Sequence, residues 1–383
     1  MKSYLSRIFL AIMLPIVAIC ATGARAESIL IGFSAPDTGP AAAAAMWQRW
    51  GVEIARDEIN NAGGVLGKQI EIVSYDNRCN PSEAVNVANK LAEAKVTAII
   101  GAHCSSATLA TMPIIAEAKI PMVEGVATSP KITELSGVGG NEWTFRINPS
   151  DQDMMVALGR YLKGETKIKR VAVVGEDTDF GRGGAGAFAE VAKADGLQII
   201  STDFHPQNQP DFTSLLTRIQ QSKPDAIALF QLSGDQINFL RNAMQLQVRI
   251  PYTGRFDPFG RNTPIIEAGG MEGSITAWPY SQDIDYPANK TLVAQTQQRY
   301  KSIPYLQTWA GYDSLRLIAK AIAQAGSSEP TKVRDGLKHA DFVSAMGKPI
   351  VFDDHNQAGK IVIIDKVEQR KVHLESLVDL GAR

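Results

Sequence analysis

Strand-like apolar runs alternate with helix-like periodicity twice over in this chain, and that alternation leaves few folds open. In the first series Ile29–Phe33 reads as a strand and Ala42–Asn61 as a helix stopped by Ala62-Gly63-Gly64. Gln69–Tyr75 is a strand, Pro81–Ala94 a helix with Ala84, Val87, Ala88 and Leu91 at helical spacing, and Val96–Gly101 a strand. Ser105–Ala118 is a helix and Pro121–Glu124 a short strand. A second series follows Phe145-Arg146-Ile147: helix Asp151–Leu162, strand Arg170–Val174, helix Gly184–Ala194, strand Leu197–Thr202, helix Phe212–Gln221, strand Ala226–Phe230, helix Asp235–Leu246. Such repetition predicts parallel sheets with helices on both faces, in two similar α/β halves. Ser274–Ala277, Ala288–Tyr300, Thr308–Ala325 and Pro330–Leu337 fit neither half cleanly and read as material that returns to one of them. No low-complexity linker is present, so the halves are expected to be joined by short crossings.

A length of 383 residues favours two or three domains over one. The 45% hydrophobic and 21% charged content is that of a globular chain with a sizeable core. A formal net charge of -1 points away from nucleic acid and anionic membranes as partners. Lys2 and Arg7, the apolar run Ile8 to Cys20 and the small-residue site Ala24-Arg25-Ala26 read as a signal peptide over residues 1–26, cleaved after Ala26. The apolar core is too short for a retained anchor, and Ile19 argues against a lipoprotein site at Cys20. Cys79 and Cys104 then remain as one pair in an exported chain, for which a disulfide is the default reading. It would close a loop of roughly 25 residues and contribute on the order of 3 kcal/mol. A Cys/His metal site built with His103 would need more ligands than the sequence places nearby, so no metal or other cofactor is expected.

Two helix starts stand out. Cys104-Ser105-Ser106-Ala107-Thr108 follows the run Val96–Gly101, and Ala127-Thr128-Ser129-Pro130 follows the next strand. A strand that turns into a helix through small hydroxyl residues presents free N–H groups, a hydroxyl and the positive end of the helix dipole. Two such ends, one strand apart, can converge on one carboxylate. In the second half, Gly254-Arg255-Phe256-Asp257-Pro258 follows the apolar run Val248–Tyr252, at the sheet edge where ligands of open α/β sheets bind, which makes Asp257 a candidate. The alanines Ala41–Ala45 read either as a bland helix start or as a small-residue wall beside a bulky ligand, and Trp47 and Trp50 as core.

Gly181-Arg182-Gly183-Gly184-Ala185-Gly186 matches a dinucleotide fingerprint, but Gly175 to Phe180 separate it from its strand, and an exported chain is not supplied with nicotinamide cofactors. A loop and helix start that needs small residues is the preferred reading. Nucleophile-elbow, HExxH and P-loop motifs are missing, and Asp353-Asp354-His355 reads as a solvated turn. Nothing here favours an enzyme.

Tyr75-Asp76-Asn77-Arg78-Cys79-Asn80-Pro81, Ala88-Asn89-Lys90-Leu91 and Ile100-Gly101-Ala102-His103-Cys104-Ser105-Ser106 resemble the leucine/isoleucine/valine-binding proteins of bacterial ABC importers. So do Asp37-Thr38-Gly39-Pro40 and Asp57-Glu58-Ile59-Asn60 with Gly63, Gly64 and Gly67. The resemblance covers nearly the whole mature chain and is densest over residues 29–150. It implies a type I periplasmic binding fold, with two Rossmann-like parallel-sheet lobes and a three-segment hinge. Lobe 1 would span 27–147 and lobe 2 148–274, with 275–355 returning to lobe 1 and 356–383 to lobe 2. It also implies the Cys79–Cys104 disulfide, an α-carboxylate site at Ser105 and Thr128 with the backbone of Ala127, an aromatic wall at Phe180, and Asp257 or its neighbour on the α-ammonium; Ser106, in the same helix start as Ser105, is a further ligand-binding candidate. Two positions depart from the family: an Asp stands where a Glu is usual, and the alanine run replaces a stretch that often carries a larger side chain.

The sequence therefore reads as a periplasmic, monomeric binding protein that takes a branched-chain or other apolar amino acid and delivers it to an inner-membrane ABC permease. An aromatic acid or another small carboxylate or amide is the alternative ligand. An exported enzyme would require a bound cofactor, and a sensor ectodomain a second membrane segment.

Overall fold

The computed structural model describes residues 28–165 and 167–381. The leader read at 1–26 lies outside the described residues.

The first series folds as β1 (Ile29–Ala35), α1 (Ala42–Asn61), β2 (Ile70–Asp76), α2 (Pro81–Glu93), β3 (Ala98–Gly101), α3 (Ser105–Ala118), β4 (Met122–Glu124), the short α4 (Pro130–Leu135) and β5 (Thr144–Arg146). These strands form one parallel sheet in the order β2-β1-β3-β4-β5. Both faces are covered, as the near-continuous apolar strands require. Ile29, Ile31 and Phe33 face one core, while Leu30 packs against the other with Leu91, Met112 and Ile115. Asn80 caps α2, its side chain accepting from the N–H groups of Ser82 and Glu83, and Pro81 takes the first helical position.

The second series gives α5 (Asp151–Glu165), β6 (Arg170–Glu176), α6 (Asp179–Asp195), β7 (Gln198–His205), α7 (Thr213–Ser222), β8 (Ala226–Phe230), α8 (Ser233–Gln245) and β9 (Tyr252–Arg255). The sheet order is β7-β6-β8-β9, all parallel. After α9 (Thr263–Glu267), β10 (Ile275–Trp278) lies beside β9. The Ser274 hydroxyl accepts from the N–H of Tyr252, and Thr276 bridges to the backbone of Gly254 and Phe256. Ile275 and Ala277 enter the core of this lobe, so the crossing follows β10 instead of preceding it at 275.

The chain then returns. α10 (Pro287–Tyr300), α11 (Leu306–Ala325) and α12 (Pro330–Lys338) bury Leu315, Ile318 and Val333 against the first sheet. Finally β11 (Ile361–Glu368) pairs antiparallel with β10, and β12 (Lys371–Asp379) pairs antiparallel with β11, completing the second lobe. The first and third crossings touch. The N–H of Ala358 donates to Arg146 O and that of Arg146 to Asn356 O. The buried Arg146 guanidinium donates to Gln357, to the Ser129 carbonyl and to Thr133. The hinge is thus a hydrogen-bonded knot of remote residues.

Candidate ligand-binding site

The carboxyl ends of both sheets face one cleft. On the first-lobe side, the loop after β3 is pinned twice. Asn77 donates to Ser34 Oγ and to Ala102 O, each at 3.0 Å, and a disulfide joins Cys79 to Cys104, the residue just before α3. Glu124 is fully buried at the end of β4, with four donors: the N–H groups of His103, Val126 and Ala127 and the hydroxyl of Thr108. A carboxylate so satisfied fixes both helix-start loops in one arrangement. It also takes the Ala127 N–H that the anion site was expected to offer, although Ala127 does line the cavity.

The two hydroxyls behave differently. Ser105 Oγ accepts from the N–H of Ser129 at 3.2 Å, which leaves its single proton to donate elsewhere. Thr128 Oγ1 donates to Asp151 Oδ2 at 3.0 Å, so its proton is committed to the second lobe. Ser106 lies outside the cavity lining. Its Oγ accepts from the N–H of Asp179 at 3.1 Å and ties the lobes at the cleft mouth, where Lys131 also approaches Asp179.

On the second-lobe side, Gln236 grips the backbone of Asp257 at both its N–H and its carbonyl, with Asn262 on the same carbonyl. The Asp257 carboxylate accepts from the N–H of Phe259. Burial pushes its pKa up to about 7, against the opposing effects of that N–H and of Arg255. Arg255, at the end of β9, is 8% exposed. Its guanidinium lies 4.9 Å from the Phe180 ring and 5.3 Å from that of Trp278. His103 is held neutral, its pKa driven down to about 3 first by burial and then by Arg255.

Between these walls is a cavity whose empty space, counted together with its opening to solvent, is about 540 Å³. Ala41 and Ala44 form a small-residue wall, as one reading of the alanine run expected. Trp47 and Trp50 instead pack on Tyr305 and Tyr300. Of the expected site residues, Ser105, Ala127, Thr128, Phe180 and Asp257 line this cavity.

Sequence reasoning missed Arg255, Gln231, Trp278 and Gln307, which line it too. Arg255 lay in the singled-out Gly254–Pro258 loop, where a cation at a strand's carboxyl end was the available signal. Trp278 and Gln307 come from the end of β10 and from α11 and carried no local signal. Two other buried second-lobe acids, Glu176 and Asp235, lie off the cavity lining, where Glu176 accepts from the Leu232 N–H and Asp235 from that of Asn208.

The glycine run lies inside α6, whose first turn is capped by Thr178. A Cβ on Gly184 would stand 2.4 Å from the Phe230 ring, and one on Gly181 2.2 Å from Glu176 O. These glycines let the helix press onto the sheet. Asp353-Asp354-His355 is a turn closed on the Asp353 carboxylate, which accepts from the N–H groups of His355 and Gln357.

A family model described as periplasmic binding protein matches residues 28–370. The leucine-, isoleucine-, valine-, threonine- and alanine-binding protein of Pseudomonas aeruginosa is 27% identical over 350 residues, 91% of this chain and 92% of that protein. A leucine-binding protein structure from Thermotoga maritima has a TM-score of 0.82 at 26% identity and covers 93% of this chain and 100% of its own. The substrate-binding protein of a branched-chain amino acid transporter from Streptococcus pneumoniae, solved with isoleucine, has a TM-score of 0.81 at 25% identity and covers 92% and 99%.

Proposed function

This chain belongs to the periplasmic binding protein family, and we propose that it is the substrate-binding component of an ABC amino-acid importer, taking a branched-chain or other apolar amino acid between its lobes. The observation that carries this reading is a single cavity with a free hydroxyl proton at Ser105 on one wall and the Asp257 carboxylate on the other. Such a slot suits a zwitterion whose carboxylate meets the first lobe and whose ammonium meets the second. Closure would exclude water from both charges and strengthen both contacts. The role is binding, without catalysis. It places the mature chain in the periplasm as a monomer, released by cleavage after Ala26, handing its ligand to an inner-membrane permease.

Calorimetry on the mature protein tests this with leucine, isoleucine and valine against 4-methylpentanoate, the deaminated analogue of leucine. The amino acids should bind at least tenfold more tightly. Equal or tighter binding of 4-methylpentanoate would remove the amino-acid reading. Asp257 also supports the second reading, an aromatic or other small acid. With its pKa near 7, it can be protonated at neutral pH, and the rings of Phe180 and Trp278 would then face a ligand without an ammonium. Tighter binding of benzoate than of leucine is the result that would favour it.

A further inference from the structure

The Ser105 hydroxyl donates only one hydrogen bond, and the hydroxyl proton of Thr128 is spent on Asp151. Glu124 occupies the Ala127 N–H, so that donor is not available to a carboxylate, which accepts several hydrogen bonds. The second lobe holds a further donor. Arg255 is buried, it lines the same cavity, and its Nε has no hydrogen-bond partner. Its nearest anion is Asp151 Oδ1, at 3.6 Å from Nε, beyond hydrogen-bond distance, and that oxygen is unpartnered as well. A buried guanidinium left in this condition is costly unless something else completes its bonding. The rings of Phe180 and Trp278 flank it and limit where its head can swing.

Asp151 locates the head relative to the first-lobe site. One carboxylate meets Thr128 through Oδ2 and Arg255 through Oδ1, so Arg255 stands one carboxyl group away from Thr128. We propose that Arg255 is the second-lobe half of the carboxylate site, so that the ligand's carboxylate bridges Ser105 and Arg255 and is itself part of what holds the lobes closed. This deepens the binding-protein reading and rests on it, but it does not depend on the ligand having an ammonium. It makes an ionised carboxylate the obligatory feature of the ligand, with the rest of the molecule set against Phe180, Trp278, Ala41 and Ala44.

The experiment measures dissociation constants for two matched pairs, leucine with leucinamide and benzoate with benzamide, on wild type, Arg255→Gln, Arg255→Lys and Ser105→Ala. In wild type, the carboxylate member of whichever pair binds should exceed its amide by roughly a hundredfold, as charge-assisted hydrogen bonds allow. Arg255→Gln should reduce that ratio to within about tenfold. Arg255→Lys, which keeps the charge without the planar fork, should retain an intermediate ratio. Melting of each unliganded variant separates lost recognition from lost folding. Should Arg255→Gln fail to fold, the intermediate ratio in Arg255→Lys and the reduced ratio in Ser105→Ala decide the matter, and wild-type ratios in both would overturn the proposal. Wild-type carboxylates that bind no better than their amides also overturn it, whether or not either member binds. A benzoate preference that Arg255→Gln abolishes upholds the proposal while removing the amino-acid reading.

Discussion

The two walls of the cleft treat buried charge in opposite ways. In the first lobe, Glu124 receives three backbone N–H groups and one hydroxyl, and its loops are pinned further by Asn77 and the disulfide. In the second lobe, Asp257 accepts from the Phe259 N–H, the Arg255 Nε–H has no acceptor, and oxygens of Gln231 and Ser233 are unpartnered. Glu124 completed its hydrogen bonding within the fold, and Arg255 retains capacity that a ligand can use. The contrast teaches that a buried charged residue in this molecule is structural or functional according to how many partners the chain itself supplies.

The largest effect is expected where the first lobe is most satisfied. Glu124→Ala strands three buried N–H donors, each costing about 1–3 kcal/mol, so urea unfolding should record a loss of about 3 kcal/mol or more. A loss under about 1 kcal/mol would mean that these loops hold themselves in place and that the contrast between the walls is false.

Asp257→Asn should do the reverse. Binding of leucine should fall roughly a hundredfold, because the ammonium would lose its only ionic partner. The unliganded protein at pH 8 should be at least as stable as wild type. The sign follows from the raised pKa: the folded state favours the protonated acid, so stability attached to Asp257 is present at low pH and is lost as pH rises through about 7. A variant that is clearly less stable at pH 8 would make Asp257 a structural acid like Glu124.

The same linkage gives a pH test on wild type. Above about pH 7.5, where the depressed His103 and His205 are neutral in the folded and unfolded states alike, the last ionisation of Asp257, with its pKa near 7, and that of Glu176 and Asp365 near 8 should lower unliganded stability up to about pH 8.5. Over that range leucine should bind more tightly as Asp257 ionises, and 4-methylpentanoate more weakly. A flat stability curve with parallel ligand curves would show that these acids do not titrate as their burial requires.

A tenfold loss is expected from Ser105→Ala, and less from Thr128→Val, since the Thr128 proton serves Asp151. Calorimetry on both variants sharpens the comparison. If Thr128→Val is the worse of the two, that hydroxyl turns to the ligand in the bound state and the first lobe is less finished than it looks.

Local chemistry made much of this fold legible. Ala42–Asn61 and Ser105–Ala118 came out with the expected ends, because periodicity and the residues at their termini are local facts. α6 begins at Asp179, well before the expected Gly184, since glycine's poor helix propensity is overridden by packing against Phe230. The hairpin of β11 and β12 went unread as strands, and β12, an edge strand with many exposed residues, has no continuous apolar run to announce it.

What the sequence determined by itself was the strand–turn–helix grammar, which brought Ser105, Ala127, Thr128, Phe180 and Asp257 to one cavity. Tertiary structure alone decided what each of them does there. Glu124 takes the Ala127 N–H from three residues away, but Asp151 takes the Thr128 proton from across the lobes, and Arg255 is caged by Trp278 from another strand. A helix start is specified within a few residues along the chain. The partner of a buried hydrogen-bonding group is chosen by which remote segments share its water-free space, and a linear pattern does not carry that information.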